Sequence, residues 1–367
     1  MNTITTYKKR LNKYDNLKGL AIIFVVFIHM SNPFSHFPIR NDITLLITPL
    51  SMSIFFFVSG YFTKVDENTQ IKAFKKILVP FIIFTATWII YSVLLFGTNI
   101  PKLPYLVPTA GLWFLLALFW LRSFLPILVR IKYIFVISLI LALLVGLITF
   151  PKDMGDFLTI GRTFGYLPIF LVGYYFKNNE EYFQSFGSTI GSKIKPIFFK
   201  ISKFLKENKK IVFIILIGIL ISLFILYQHV PVSFLEYKRS YINFDYGRKI
   251  GMLIRLFVIL ASITLVLLIT YLMTNKKTFL TKLGMNSLSI YILHFYFSSF
   301  SSRIFLKTGI GSTILHDPYL AIIYSVLLSA FVLFILSRDI VEKNMRKLIE
   351  VVGNFLMKDE APKQRIE

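Results

Sequence analysis

Apolar residues along this chain fall into runs of about twenty, separated by short clusters of Lys, Arg, Gly and Pro. At 1.5 Å per residue, a helical run of that length crosses the roughly 30 Å hydrocarbon core of a bilayer. Ten such stretches are expected, at roughly 17–32, 43–62, 75–97, 112–129, 132–150, 160–177, 210–229, 250–273, 284–304 and 318–337. The first is short and stops at Pro33. The fifth is the least polar and is expected to face lipid. No repeat of fixed period accompanies them. The pattern predicts an all-α polytopic membrane protein of about ten transmembrane helices.

Composition agrees. Of 367 residues, 56% are hydrophobic and 16% charged, with a mean hydropathy of +0.69. Soluble domains carry about a quarter charged residues. The formal net charge of +23 would suit nucleic acid, but the cations are distributed by topology. Alternate loops hold roughly 30 Lys and Arg on one side and roughly 11 on the other, which places both termini in the cytoplasm. The cations then face anionic lipid headgroups, and no soluble basic domain remains to bind nucleic acid. The expected organisation is a cytoplasmic segment 1–16, a membrane domain 17–337 containing a basic cytoplasmic loop 177–210, and a cytoplasmic tail 338–367, disordered after Met357. The loop carries eight Lys. Within it, residues 193–207 read either as an amphipathic helix on the inner leaflet or as a solvated linker. The first span lacks a small-residue cleavage site and reads as uncleaved. The absence of Cys excludes disulfides, thiolate metal sites and a cysteine nucleophile.

Ionisable groups inside spans are costly and mark function by default. His29 and His294 each lie about ten residues into a span running from inside to outside, so both imidazoles sit near the midplane. Neutral imidazole suits a general base. Without an intramembrane carboxylate, neither a Ser-His-Asp triad nor a metal site is expected. Lys18 stands eleven positions before His29, about three helical turns, and shares its face. Ser59-Gly60-Tyr61 closes the second span with small residues that permit close helix approach. Trp113 and Arg162 begin spans at the outer side. Trp113 is either a belt residue or part of a site, and Arg162 either binds an anion or carbonyl or snorkels. Asn286 and Ser287 open the span of Tyr291 and His294, either as helix caps or as hydrogen-bonding groups for a cofactor. The outer segment 97–111 is Pro-rich, and 229–249 is aromatic and basic, a surface either for sugar rings or for an interfacial belt.

Five stretches occur in one family's order and spacing: Lys18 through His29, FFFVSGYF at 55–62, LWFLLALF at 112–119, RTFGYLPIFLVGYYF at 162–176 and GMNSLSIYILHFYF at 284–297. Across residues 14–335 the chain resembles the acyltransferase-3 family of integral membrane acyltransferases, and looks closest to its fucose 4-O-acetylase-like branch. The resemblance implies O-acyl transfer, usually acetyl, from cytoplasmic acetyl-CoA or another acyl-CoA to a hydroxyl of an envelope glycan or lipid-linked sugar, in the plasma membrane. It makes His29 the essential histidine and Lys18 its basic partner. It gives Lys72, Lys75 and Lys76 a role at the CoA phosphates. The family often has arginines there, so the charge is kept and the bidentate fork is not. Asn286, Ser287, Tyr291 or His294 would stabilise the oxyanion, and Arg162 and Trp113 would meet the acceptor. The thioester arm is expected to thread along the Lys18–His29 face. A glycan exporter or flippase, or a non-catalytic partner of a glycan synthase, would share the span pattern. The missing inverted repeat and intramembrane carboxylate count against transport. Oligomeric state, a homodimer included, is left open.

Overall fold

A computed structural model describes residues 10–109, 111–149, 156–177, 207–241, 247–305 and 316–357, with short pieces at 195–196, 199–200 and 203–205 and residue 314. Among them the protein is all helical, with no strand. The helices are α1 Asn12–Met30, α2 Pro38–Phe62, α3 Thr69–Ala73, α4 Val79–Phe96, α5 Trp113–Leu128, α6 Ile134–Leu144, α7 Ile160–Lys177, α8 Lys209–Tyr227, α9 Val232–Leu235, α10 Gly247–Leu272, α11 Phe279–Met285, α12 Ser287–Phe305, α13 Pro318–Leu336 and α14 Asp339–Leu356. Among the described residues, six helical stretches are long and apolar enough to cross a membrane: α2, Thr69–Phe96, Phe157–Lys177, α8, α10 and α13. Two shorter apolar helices accompany them, Trp113–Leu128 and Ile134–Leu147. Helices α1 and α12 occupy the first and ninth expected stretches.

Local chemistry sets the boundaries. Pro80 has no N–H, so the helical ladder cannot continue unchanged through it. Residues Phe74–Leu78 form one π turn joining α3 to α4, in which the Val79 N–H donates to the Phe74 carbonyl. Asp317 caps α13, accepting from the backbone N–H groups of Tyr319 and Leu320, and Pro318 follows at the first helical position. Thr278 and Thr281 form a reciprocal capping box at the start of α11.

The centre of the bundle is α1, which packs on α2, α11, α12 and α13. Two glycine contacts fix its surroundings. A Cβ on Gly60 of α2 would lie 2.0 Å from the Phe170 carbonyl oxygen, and one on Gly173 of α7 would lie 2.0 Å from that of Phe57. The small residues of the Ser59-Gly60 stretch therefore serve close packing of α2 on α7. Helix α6 differs from the expectation of a lipid-facing span. Ile134, Ser138 and Ala142 are buried against the bundle while Val136, Ile140 and Leu144 are exposed. The region 339–356, expected as tail, is a helix whose apolar and charged residues segregate to opposite sides. Residues 358–367, residues 193–194, 197–198, 201–202 and 206 of the 193–207 segment, and residues 242–246 lie outside the described residues.

Candidate active site

The Lys18 end of the site is built on backbone contact between α1 and α11. A Cβ on Gly19 would stand 2.1 Å from the Leu280 carbonyl oxygen, and one on Gly284 would stand 1.8 Å from that of Asp15. Asn16, fully buried, locks the register. Its Nδ2 donates to the carbonyls of Thr274 and Lys276, both at 3.0 Å. Its Oδ1 accepts from the hydroxyls of Thr278 at 2.9 Å and Thr281 at 2.6 Å. One residue away, Asp15 accepts from Arg10 Nε at 2.6 Å and pairs with Lys18 Nζ at 3.0 Å. Burial pushes the Asp15 carboxyl up, but the hydrogen bond from Arg10 and the charge of Lys18 outweigh it and hold it below the usual carboxylate range. Lys18 is thus an ion-paired residue at the rim. Between it and His29, Ile22 and Val25 on the same face are buried. That stripe is filled by neighbouring helices, so the expected route for a thioester arm along it is packed shut in this structure.

The two histidines expected at midplane depth meet. The His29 and His294 ring centroids are 5.1 Å apart, and the Phe295 ring stands edge-on to His29 at 4.6 Å. Ser298 Oγ donates to the His29 carbonyl at 2.8 Å, which joins α12 to the end of α1. His294 is fully buried, with Nδ1 at 3.0 Å from the Ile290 carbonyl oxygen. A carbonyl only accepts, so Nδ1 carries the proton and Nε2 is a bare lone pair. That Nε2 has no partner among the described residues. His29 is half-buried, its Nδ1 facing Asn32 Nδ2 at 3.5 Å. Asn32 Oδ1 accepts from Arg40 Nη2 at 2.7 Å, which turns the amide N–H₂ toward His29. The His29 Nδ1 is therefore the acceptor, and the neutral ring holds its proton on Nε2. Arg40 also donates to the carbonyls of Ile28 and Ser31, each at 3.1 Å, and so closes the C-terminal end of α1 with a cation. Tyr291 packs 5.9 Å from His294, and its hydroxyl donates to the Gly111 carbonyl at 2.6 Å.

At the opposite end from Lys18, Arg162 is buried, with its guanidinium 4.1 Å above the Trp113 ring. It pairs with Asp156 at 3.3 Å and Glu236 at 3.9 Å. Trp113 stacks on Tyr166 and Tyr166 on Phe56. Burial raises both the Asp156 and the Glu236 carboxyl above their ordinary values, against the opposing charges of Arg162 and Lys238. The loop carrying Glu236 is seated on α7: a Cβ on Gly161 would meet the Tyr237 carbonyl oxygen at 2.7 Å, and one on Gly165 the Tyr237 ring at 2.4 Å. Tyr237 takes a left-handed backbone, φ 61°. Arg255, 2% exposed, holds the loop from below. It donates to the Arg239 carbonyl at 2.9 Å and lies 4.6 Å from the Tyr241 ring centroid.

The remaining residues of interest lie elsewhere. Lys72 pairs with Asp66 at 2.5 Å, and Lys75 and Lys76 stand on the π turn. Asn286 is a junction residue, donating to the Ser337 carbonyl at 2.7 Å and to Asp339 at 3.2 Å. Ser287 opens α12 seven residues before His294, roughly 10 Å along the axis. The structure thus brings together His29, His294 and Tyr291, and separately Arg162 and Trp113. It leaves Lys18, Asn286 and Ser287 away from the histidine pair.

An acyltransferase-domain family model matches residues 11–337, which covers the first helix through α13, both histidines and the Arg162 cluster. The chain belongs to the acyltransferase-3 family. No curated protein and no solved structure matches it. This membrane acyltransferase carries four buried or half-buried groups that the sequence reading passed over: Asn16, Arg40, Arg122 and Arg255. Two of them, Arg122 in α5 and Arg255 in α10, had a signal, because each is a cation inside an apolar run. Arg122 Nε is buried with no partner among the described residues. It sits beside the α3 segment, where Gln70 donates to the carbonyl of Ser123 at 3.4 Å. Asn16 and Arg40 gave no such signal, since their partners are far along the chain or in a turn.

Proposed function

We propose that this acyltransferase is an O-acetyltransferase of the fucose 4-O-acetylase-like branch, with about ten spans, cytoplasmic termini and a plasma-membrane location. It moves an acyl group from cytoplasmic acyl-CoA to a hydroxyl of an envelope glycan or lipid-linked sugar. The observation that carries the reading is the histidine pair: one ring buried with a bare nitrogen, the other half-open beside it. Its support for a base is chemical. His29 Nδ1 takes the acceptor hydroxyl's proton, displacing the long 3.5 Å contact with Asn32. The hydroxyl oxygen bonds to the thioester carbon, and the C–S bond breaks as the tetrahedral intermediate collapses. The CoA thiolate leaves with the proton returned by His29. While His29 is cationic, its Nε2–H has an acceptor available in His294 Nε2. The ring centroids stand 5.1 Å apart and these two nitrogens are not hydrogen-bonded in the resting structure, so a turn of the rings is needed to bring them to hydrogen-bond distance, roughly 3 Å. In this reading His294 acts as acceptor for His29, because its single proton is committed to the Ile290 carbonyl.

The donor's phosphates meet Lys75, Lys76 and Arg122, the last restoring the guanidinium fork that the lysines lack. The acceptor approaches Arg162. Two carboxylates already balance that guanidinium, which favours an uncharged hydroxylated ring stacked on Trp113 over an anionic group. The test is labelled acetyl-CoA with the purified protein in lipid nanodiscs and envelope glycan as acceptor. Acceptor-dependent release of free CoA, abolished in His29→Ala at equal expression, is the expected result. Wild-type turnover in His29→Ala would overturn the reading. Glycan movement across liposomes without CoA dependence would favour an exporter.

A further inference from the structure

On the side of α1 away from the Lys18–His29 stripe runs a cavity of about 730 Å³ between α1, α2, α11 and α13. Its walls are Ile23, Phe24 and Phe27, faced by Val326, Leu333 and Phe334. From Ser337 at one end to Ile322 at the other it follows fifteen residues of α13, roughly 22 Å. That exceeds the thickness of one hydrocarbon leaflet, about 15 Å. Apart from Ser329, whose hydroxyl donates to the Ser325 carbonyl within α13 at 2.6 Å, the lining is apolar up to one mouth, where Lys282 and Ser337 stand.

That mouth is assembled with cations. The Asn286 side chain ties α12 to the Ser337 carbonyl at 2.7 Å, so Lys282, one turn earlier on α11, and Arg338, directly after Ser337, flank the same opening. The Arg338 guanidinium lies 4.2 Å over the ring of Phe334, itself a wall of the cavity. Neither Lys282 nor Arg338 pairs with a carboxylate among the described residues. Helix α14 begins immediately after Arg338. Its Ile340, Val351 and Phe355 are 61%, 60% and 87% exposed, while Lys343 and Lys347 border that face. A helix with an open apolar face edged by lysines lies at a membrane surface, which sets the mouth at headgroup depth.

We propose that this cavity is a binding site for an anionic phospholipid, with an acyl chain along α13 and the phosphate between Lys282 and Arg338. The proposal stands apart from the acyl-transfer reading, because none of these residues belongs to the histidine pair or the outer cluster. The cations choose the headgroup and the apolar trough holds the chain.

Detergent-solubilised full-length protein is titrated with phosphatidylglycerol or phosphatidylcholine of identical chains, and bound lipid is counted by native mass spectrometry. Wild type is expected to retain the anionic lipid at least about 10-fold more tightly, a difference of about 1.4 kcal/mol. Lys282→Glu with Arg338→Glu should erase the preference, and Ala330→Trp, which fills the trough, should lower retention of both lipids. A second readout needs no loss-of-binding variant. In Phe334→Trp, the added fluorescence should be quenched by brominated phosphatidylglycerol at lower mole fraction than by brominated phosphatidylcholine. Equal retention of the two lipids by wild type, an unchanged preference in the folded charge-reversed protein, or equal quenching would each overturn the proposal.

Discussion

Replacing Asn16 by Asp changes one NH₂ into an oxygen and nothing in size. Nδ2 donates to two carbonyls at 3.0 Å, so the new oxygen would face two oxygens in a fully buried place. Two hydrogen bonds are lost, at roughly 0.5–1.5 kcal/mol each, and the unpaired carbonyls add a desolvation cost of roughly 1–3 kcal/mol. The total is about 2–6 kcal/mol. Asn16→Leu loses all four bonds, and its cost should be comparable and independent of pH. The Asp variant should differ in sign with pH. Protonation returns one donor, so its folded form favours the acid, and its stability is lost as pH rises through the folded-state pKa. Thermal unfolding in detergent between pH 5 and 8, followed by intrinsic fluorescence, reads this directly. The midpoint of the Asp variant should fall by several degrees at pH 8 and recover toward pH 5 relative to wild type. A variant as stable as wild type at pH 8 would show that Asn16 does not hold the α1–α11 junction.

Gly284→Ala should be more damaging than most core substitutions, since its Cβ would stand 1.8 Å from a backbone oxygen; a loss above about 4 kcal/mol is expected, seen as failure to recover monodisperse protein. Arg255→Met keeps bulk and removes the donor to the Arg239 carbonyl; amide exchange over residues 237–241 should quicken at least about 10-fold, with the rest of α10 unchanged. Asp156 and Glu236 have raised folded-state pKa values, so their contribution to stability is present in acid and lost as pH rises through those values. Protection against exchange around Glu236, taken relative to the intrinsic rate at each pH, should fall toward alkaline pH, and Glu236→Gln should flatten that fall. Arg122→Leu should weaken binding of CoA, read by isothermal titration, while leaving retention of the acceptor glycan unaltered.

Much of the scaffold could be read along the chain, because apolar length and helical rise are local properties. The matching depths of His29 and His294 followed from the same arithmetic, and their rings do meet. What surrounds them could not be read that way. The burial of Ile22 and Val25 depends on which helices pack against that side of α1, which periodicity does not reveal. Asn16 finds its partners more than 250 positions away, so it looks like any polar residue before a span. Arg40 serves a turn three residues past the end of α1, and Asn286 proved to be a brace between helix ends. The alternation in α14 was visible, but its charged residues drew it into the tail.

The separation of the two histidines along the polypeptide has a consequence for biosynthesis. The Thr281 hydroxyl that locks Asn16 lies 265 positions downstream of it. During translation the first helix therefore waits in the bilayer, its buried amide unmatched, until nearly three hundred residues have been inserted. Nascent chains released before that point would lack both the junction and the second imidazole, and would leave the Asn16 amide open at the membrane surface in place of a docked helix.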